Sequence, residues 1–433
     1  MSELQRSLTS AMVWGLGVGY VISGNYFGWN LGLEKGGTLG LAIALVFIIA
    51  MYVTFTLSYS ELACAIPKSG GAFDYATKAY GKDVGFVVGM AQNIEFIFAP
   101  PAIALGIGAY AGSYFPGVSP DLIATIVYIA FTLLNVAGIK IAATFELVIT
   151  TIAVVGILVF CGLVFPYFDT SNLQREALPN GYEGILAATP FAIWFFLGIE
   201  GVANLAEETI NPRKTLLIGF GSAIGTLVIL CVLTFVSSIG IGGWKTIVYV
   251  GGVVSDSPLP LAVQQIPGDP SFWFKLISAL GLFGLAASLN GLLLAAGRST
   301  FEFSKAGFGP HVLTKLNNRF GTPANSLAVN MLIGIAAIYS GRTGEVITIA
   351  VFGALTIYII SMMSLLRLRK THPDMERPFR VPFYPLFPVI AFIISSLSII
   401  AVAVYNLKLA FLYLGLLIAS LIVYKLRERK RDS

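Results

Sequence analysis

Apolar residues run through this chain in long blocks, separated by short polar connectors. A helix needs roughly 20 predominantly apolar residues to cross a bilayer. Twelve blocks reach or approach that length: 10–32, 38–65, 84–113, 120–137, 143–165, 186–207, 214–240, 272–297, 325–341, 345–366, 385–404 and 407–425. The pattern predicts an all-α membrane protein of twelve transmembrane helices, in one domain with no room for a separate soluble unit.

The blocks are not equally regular. In the sixth, Thr189 to Lys214, the apolar run is interrupted at Gly198-Ile199-Glu200-Gly201 and stops at Asn211-Pro212. A carboxylate at mid-bilayer costs roughly 2.5–3.5 kcal/mol on insertion scales. Flanking glycines weaken the helix and free backbone groups that only a cavity or neighbouring protein can satisfy. A broken membrane helix with an acid at the break marks a transporter's substrate or ion site. The first block is just as irregular, with six glycines from Gly15 to Gly32 around a polar cluster, Ser23-Gly24-Asn25-Tyr26. Close helix packing is the plain alternative for those glycines. The cluster favours an unwound, ligand-facing segment.

Two interrupted spans, five helices apart, are what an inverted repeat of five plus five helices produces. Repeat one would cover about 9–165 and repeat two about 186–366, with appended helices at about 385–425. This expectation rests on hydropathy and break position, not on identity between the halves.

Other acids are read by depth. In the third span, helical spacing puts Gln92, Glu95 and Ala99 on one face, and Pro100-Pro101 should kink the helix just beyond. An acid this deep faces the bundle interior and has a partner, so Glu95 is either a salt-bridge or packing residue or a site for a cation. Glu61, near the end of the second span, is expected to form an ion pair with a loop Lys or Arg. Glu146 is expected to be interfacial and structural. In the eighth span, Ser288 and Asn290 would pack against the broken first helix or supply oxygens to a sodium ion. The apolar stretch Ser257–Ile266 would form a short surface helix capping the external mouth.

Composition agrees with the pattern. Of 433 residues 56% are hydrophobic and 11% charged, with mean hydropathy +0.83, against about 25% charged in soluble domains. With both termini inside, 21 of the 27 Lys and Arg fall on the cytoplasmic side, leaving Lys35, Arg175, Lys245, Lys275, Arg342 and Lys408 outside. That asymmetry supports the topology, and makes the net charge of +5 a membrane signal rather than a nucleic-acid footprint. The basic tail Lys425–Arg431 would sit against lipid headgroups.

Three cysteines, Cys64, Cys161 and Cys231, lie within or at the edge of apolar spans and read as buried hydrophobes, not a disulfide framework. The two histidines, His311 and His372, fall in loops. No Cys/His metal cluster, Ser-His-Asp triad or phosphate loop can be assembled, and no cofactor is expected. An intramembrane enzyme would have only Glu95 with Glu200 as a catalytic pair. A membrane scaffold or sensor is the reading from a different class; the chain carries no signalling domain to favour it.

Several motifs in order resemble the amino acid–polyamine–organocation superfamily of secondary transporters: Tyr59-x-Glu61-Leu62-Ala63 with Pro67-x-Ser69-Gly70-Gly71, Asn135 with Gly138-x-Lys140, Gly198-x-Glu200 with Ala206-Glu207-Glu208 and Asn211-Pro212, and Arg377-Pro378-Phe379. Val21–Leu33 and Met90–Ile103 look like its bacterial ethanolamine permease branch. The resemblance implies the five-plus-five fold with broken helices 1 and 6, and an inner-membrane permease. Amino-acid members usually show a Gly-Ser-Gly-Ile-Phe break whose N–H groups hold the substrate carboxylate. Here Ile22 replaces the first glycine and Asn25 the apolar residue, which suits a hydroxyl instead.

The substrate implied is ethanolamine, a small ammonium, imported with a proton or sodium ion. Glu95 would pair with the ammonium, near Tyr26, Phe96, Trp194 and Phe196. Ser23, Asn25 or Gln92 would take the hydroxyl beside Gly24 and Gly198. Trp194 is similar in position to the superfamily's aromatic gate. Glu200 would carry the coupling proton, though the two acids' roles could be exchanged. The alternative substrates are amino acids or polyamines. Lipid is the expected environment, as a monomer or homodimer.

Overall fold

A computed structural model of the protein describes residues 8–112, 114–137, 142–340 and 342–432. Arg6, Gly138 and Lys140 lie outside the described residues, as do the side chains of Glu207, Glu208, Arg213, Lys430 and Arg431.

The chain opens with α1 (Ser10–Val21), a single turn α2 (Ser23–Tyr26) and α3 (Asn30–Ala65). It continues through α4 (Ala72–Tyr80), α5 (Lys82–Ala111), α6 (Pro120–Ala137), α7 (Ala142–Val164), α8 (Ser171–Gln174) and α9 (Gly181–Trp194). After a 3-10 segment, Ile199–Glu208, come α10 (Pro212–Gly240), α11 (Trp244–Val248), α12 (Pro258–Val263), α13 (Ser271–Lys305) and α14 (Ala324–Ile338). The last three are α15 (Thr343–Thr371), α16 (Leu386–Tyr405) and α17 (Leu407–Asp432). Among the described residues, sheet is confined to a hairpin of two short strands, Tyr249–Val250 and Val253–Val254.

Among the described residues, ten helices are long and apolar enough to cross a membrane, and α1 and α14 are shorter apolar helices. They occupy the positions expected of twelve spans. Inside α3 the backbone turns at Gly37 (φ 65°, ψ −170°), which divides the end of the first span from the second. α5 stays helical through Pro100 and Pro101.

The centre of the bundle is built where spans meet on both flanks. α5 lies between α13 and α15, α3 runs along α9, and α1 packs on α10 and α7. Of the most apolar stretch of α5, 83% is buried, against 17% for α17, so α5 is central and α17 faces lipid. Phe411, Leu397 and Ile229 on α17, α16 and α10 form part of the outer apolar surface.

Glu61, at the terminal-side end of α3, is held as expected. Arg369 reaches it twice, Nε to Oε1 at 2.8 Å and Nη2 to Oε2 at 2.7 Å. Arg377 Nε lies 3.4 Å from Oε1, and the Val381 N–H donates to Oε2 at 2.8 Å. The basic, proline-rich connector before α16 is thereby clamped to α3 and α15. The expected helix within 257–266 forms as α12 but is not a surface element: Leu259, Ala262 and Val263 are fully buried, in a segment packed on α13 and α11.

Candidate functional site

Both predicted breaks are present, and they touch. α1 ends at Val21, one further turn forms, and the chain then extends at Phe27 (φ −157°, ψ 174°) and turns at Gly28 (φ 84°). Asn30 stabilises that turn by accepting the Gly28 N–H at 3.1 Å. In the sixth span the α-helix stops at Trp194, four residues before the glycine pair. It passes through Gly198 at φ 96° and continues as a 3-10 segment, not as α-helix. Only glycine adopts that φ without strain. A Cβ on Gly24 would stand 2.4 Å from the Trp194 carbonyl oxygen, so the two breaks meet backbone to backbone. Trp194 closes the contact by donating from Nε1 to the Phe27 carbonyl (3.0 Å), its ring edge-on to Phe27 at 5.6 Å.

Glu95 and Glu200 meet between α5 and the 3-10 segment, both essentially inaccessible. Neither Glu95 oxygen has a hydrogen-bond donor beside it, and the group facing it is the Glu200 carboxyl. Gly353 of α15 makes room for Glu95: a Cβ there would lie 2.9 Å from the Glu95 nitrogen. Glu200 Oε2 accepts from Tyr358 Oη at 2.9 Å, and Tyr52 Oη lies 3.0 Å from Tyr358 Oη. Phe196 packs on Tyr52 with ring centroids 5.0 Å apart, and Phe96 lies beside Gly201. Asn25 is fully buried with neither end of its amide partnered.

Other candidates are placed elsewhere. Tyr26 points to α7, donating to the Ala153 carbonyl at 2.7 Å, and Gln92 donates to Ser299 of α13 at 3.0 Å. Ser288 latches helix 1 from both sides of its irregular turn: it accepts the Ser23 N–H (2.9 Å) and donates to the Gly19 carbonyl (2.6 Å). Asn290 does not share that latch; its amide donates to Glu146 at 3.0 Å. The expectation of an interfacial Glu146 is overturned, because the side chain is wholly buried against α1 and α13. Tyr52 and Tyr358 were not identified from sequence. A lone tyrosine in an apolar run carries no periodic or compositional signal.

Away from the termini, a cavity of about 650 Å³ opens among Glu34, Phe191, Asp256, Arg342 and Thr348. Arg342 is paired with Glu345 (2.7 Å) and Lys35 with Glu34 (3.2 Å). Burial pushes the Asp256 carboxyl above the usual aspartate range, against the opposing effect of the Thr343 hydroxyl bound at 2.7 Å. Among the described residues no group of His, Cys, Asp and Glu is arranged to hold a metal ion.

A family model described as "Amino acid permease" matches residues 7–424. The chain is 28% identical to an uncharacterized transporter of Rhizobium meliloti (strain 1021), over 97% of this chain and 91% of that protein. It is 26% identical to a methylthioribose transporter of Bacillus subtilis (strain 168), covering 90% and 87% of the two chains. A branched-chain amino acid permease of the same organism is 25% identical, with 99% and 94% covered.

Proposed function

This chain belongs to the amino acid permease family of multi-pass membrane transporters, and from that premise we propose that it carries a small protonated amine, with ethanolamine as the substrate. The observation that carries the reading is the Glu95 carboxyl, buried beside Glu200 with no donor on either oxygen. Two carboxyl groups side by side attract a cation and repel a carboxylate. An ammonium seated there would supply N–H donors to both.

The first break supports an amino alcohol over an amino acid. The N–H groups of Ser23, Asn25, Phe27 and Gly28 are already bonded, to Ser288 Oγ, the Ile22 and Ser23 carbonyls and Asn30 Oδ1. They are not free to cradle a carboxylate. Asn25, with its amide unpartnered, would take the hydroxyl, and Phe96 and Phe196 would line the amine. Two buried carboxyl groups side by side cannot both stay ionised, so one of them keeps a proton. In our reading Glu200 holds it, with Tyr358 as its donor partner, and an arriving ammonium displaces it. Transport would then be proton-coupled, through alternating access in the five-plus-five repeat, with both termini cytoplasmic.

Uptake of labelled ethanolamine into proteoliposomes tests this. Ethanolamine uptake should fall to background in Glu95→Gln, and in Glu200→Gln it should lose its dependence on an imposed pH gradient while exchange persists. Unchanged binding by Glu95→Gln would sink the assignment. The relatives named as amino acid permeases favour a second reading, an amino acid carrier. Competition with alanine, choline, putrescine and γ-aminobutyrate, with and without sodium, separates the two.

A further inference from the structure

A second cavity, of about 590 Å³, opens at the other end of the bundle, where the last turns of α17 meet the start of α5 and the connector after α13. Its wall is drawn from three separate stretches: Lys82, the run from Ser304 to His311, and Tyr424 with Arg427 and Glu428. Aromatic packing holds these together. Phe308 and Tyr424 are buried with ring centroids 5.5 Å apart, and Tyr424 stacks on Phe86 of α5 at 4.5 Å.

Charge is shared unevenly around this corner. Asp83 and Glu428 both pair with Lys425, at 2.5 and 3.1 Å, and Glu302 pairs with Lys305 at 3.2 Å. Neither of those lysines lines the cavity. Glu428, the acid that does, has its other oxygen bonded by Tyr424 Oη at 3.3 Å. The cations on the wall, Lys82 and Arg427, are both exposed, and among the described residues neither takes part in an ion pair. The backbone points the same way. α5 begins at Lys82 with no side-chain cap, so the positive end of a 30-residue helix lies at the wall. The negative end of α13 is already answered: the N–H groups of Ala306, Gly307 and Phe308 donate to the carbonyls of Glu302, Ser304 and Phe303.

Unpaired cations and an uncapped helix start around one cavity favour an anion. A guanidinium offers paired N–H donors that match two oxygens of a phosphate, and an ammonium adds a point charge. The setting favours phosphate in particular. α17 faces lipid along its apolar stretch, and Lys425, Arg427 and Arg429 come just where that stretch runs out. Basic pockets between spans at this level hold lipid headgroups. We propose that the cavity binds a phosphate group, carried by an anionic lipid or free in solution, between Lys82 and Arg427. Its occupant would tie the end of α17 to α5 and to the connector after α13. Nothing in this depends on which substrate is carried.

The two sources are separated by two titrations of the full-length protein. Native mass spectrometry follows added phosphatidylglycerol, and calorimetry in phosphatidylcholine nanodiscs follows inorganic phosphate. Saturable binding is expected in at least one of them. Lys82→Gln with Arg427→Gln should weaken it at least roughly tenfold, as for the loss of charge-assisted contacts. Lys68→Gln with Lys370→Gln removes the same charge from exposed positions at the same end of the bundle, and should change it less than about twofold. All four side chains are exposed, so melting temperatures should match the parent's. If the first pair does not fold, its single variants carry the test, each with a fall of about threefold. Binding of the lipid alone assigns a headgroup, and binding of inorganic phosphate assigns a site open to the free anion; either supports the cavity. Saturable binding in neither titration overturns it. So does a fall no larger in Lys82→Gln with Arg427→Gln than in the control pair, which marks diffuse attraction by the basic face.

Discussion

Glu61 and Glu95 are both fully buried acids in one bundle, and their surroundings are opposite. Around Glu61 the chain has assembled a bidentate Arg369, a second guanidinium from Arg377 and the N–H of Val381. Around Glu95 it has placed another acid and no donor at all. A satisfied carboxylate fixes the position of what binds it; here that is the connector between α15 and α16. An unsatisfied one stores an attraction for something that comes and goes. On the proposed reading, that contrast separates a buried acid of the architecture from one that meets cargo, a distinction that depth in the membrane alone does not make.

The largest expected effect comes from breaking the satisfied member. Glu61→Ala leaves two guanidinium groups without their carboxylate and should cost about 3–5 kcal/mol, read as a fall in melting temperature in nanodiscs. A drop within error would erase the contrast. Next, Glu95→Gln should lower ethanolamine uptake at least 100-fold, about 2.7 kcal/mol in transition-state terms, while its melting temperature stays level or rises. Parallel losses of stability and uptake would make Glu95 architectural too. Tyr358→Phe removes the hydroxyl donor on Glu200 and should change uptake by about 3- to 10-fold, in keeping with roughly 0.5–1.5 kcal/mol for a hydrogen bond. The exposed Lys245–Glu176 pair (side chains 54% and 59% exposed) sets the floor. Lys245→Ala should leave stability within about 0.5 kcal/mol of the parent protein.

The positions of the spans, the two breaks, the Glu61 ion pair and the burial of Glu95 and Glu200 were all legible in sequence. Each follows from a local signal: hydropathy, glycine, proline, or an acid within an apolar run. What escaped depends on neighbours distant in the chain. Glu146 lies near a span entrance, where an acid ordinarily meets water. It is buried because α1 and α13 present Gly19 and Gly291 to it, a choice made more than a hundred residues away in each direction. The sixth helix breaks at 195–198, ahead of its glycine-flanked acid, because the Trp194 carbonyl is drawn into contact with the first break. The tyrosine pair above Glu200 brings together α3 and α15, which no motif links.

The contact of Gly24 with the Trp194 carbonyl has a consequence for how this scaffold can diversify. One boundary of the proposed substrate site would be main chain rather than side chain, so it could not be whittled back by substitution. A lineage or an engineer seeking to admit a larger passenger must therefore trim Phe96, Phe196 or Asn25, and the seam where the breaks meet stays as it is.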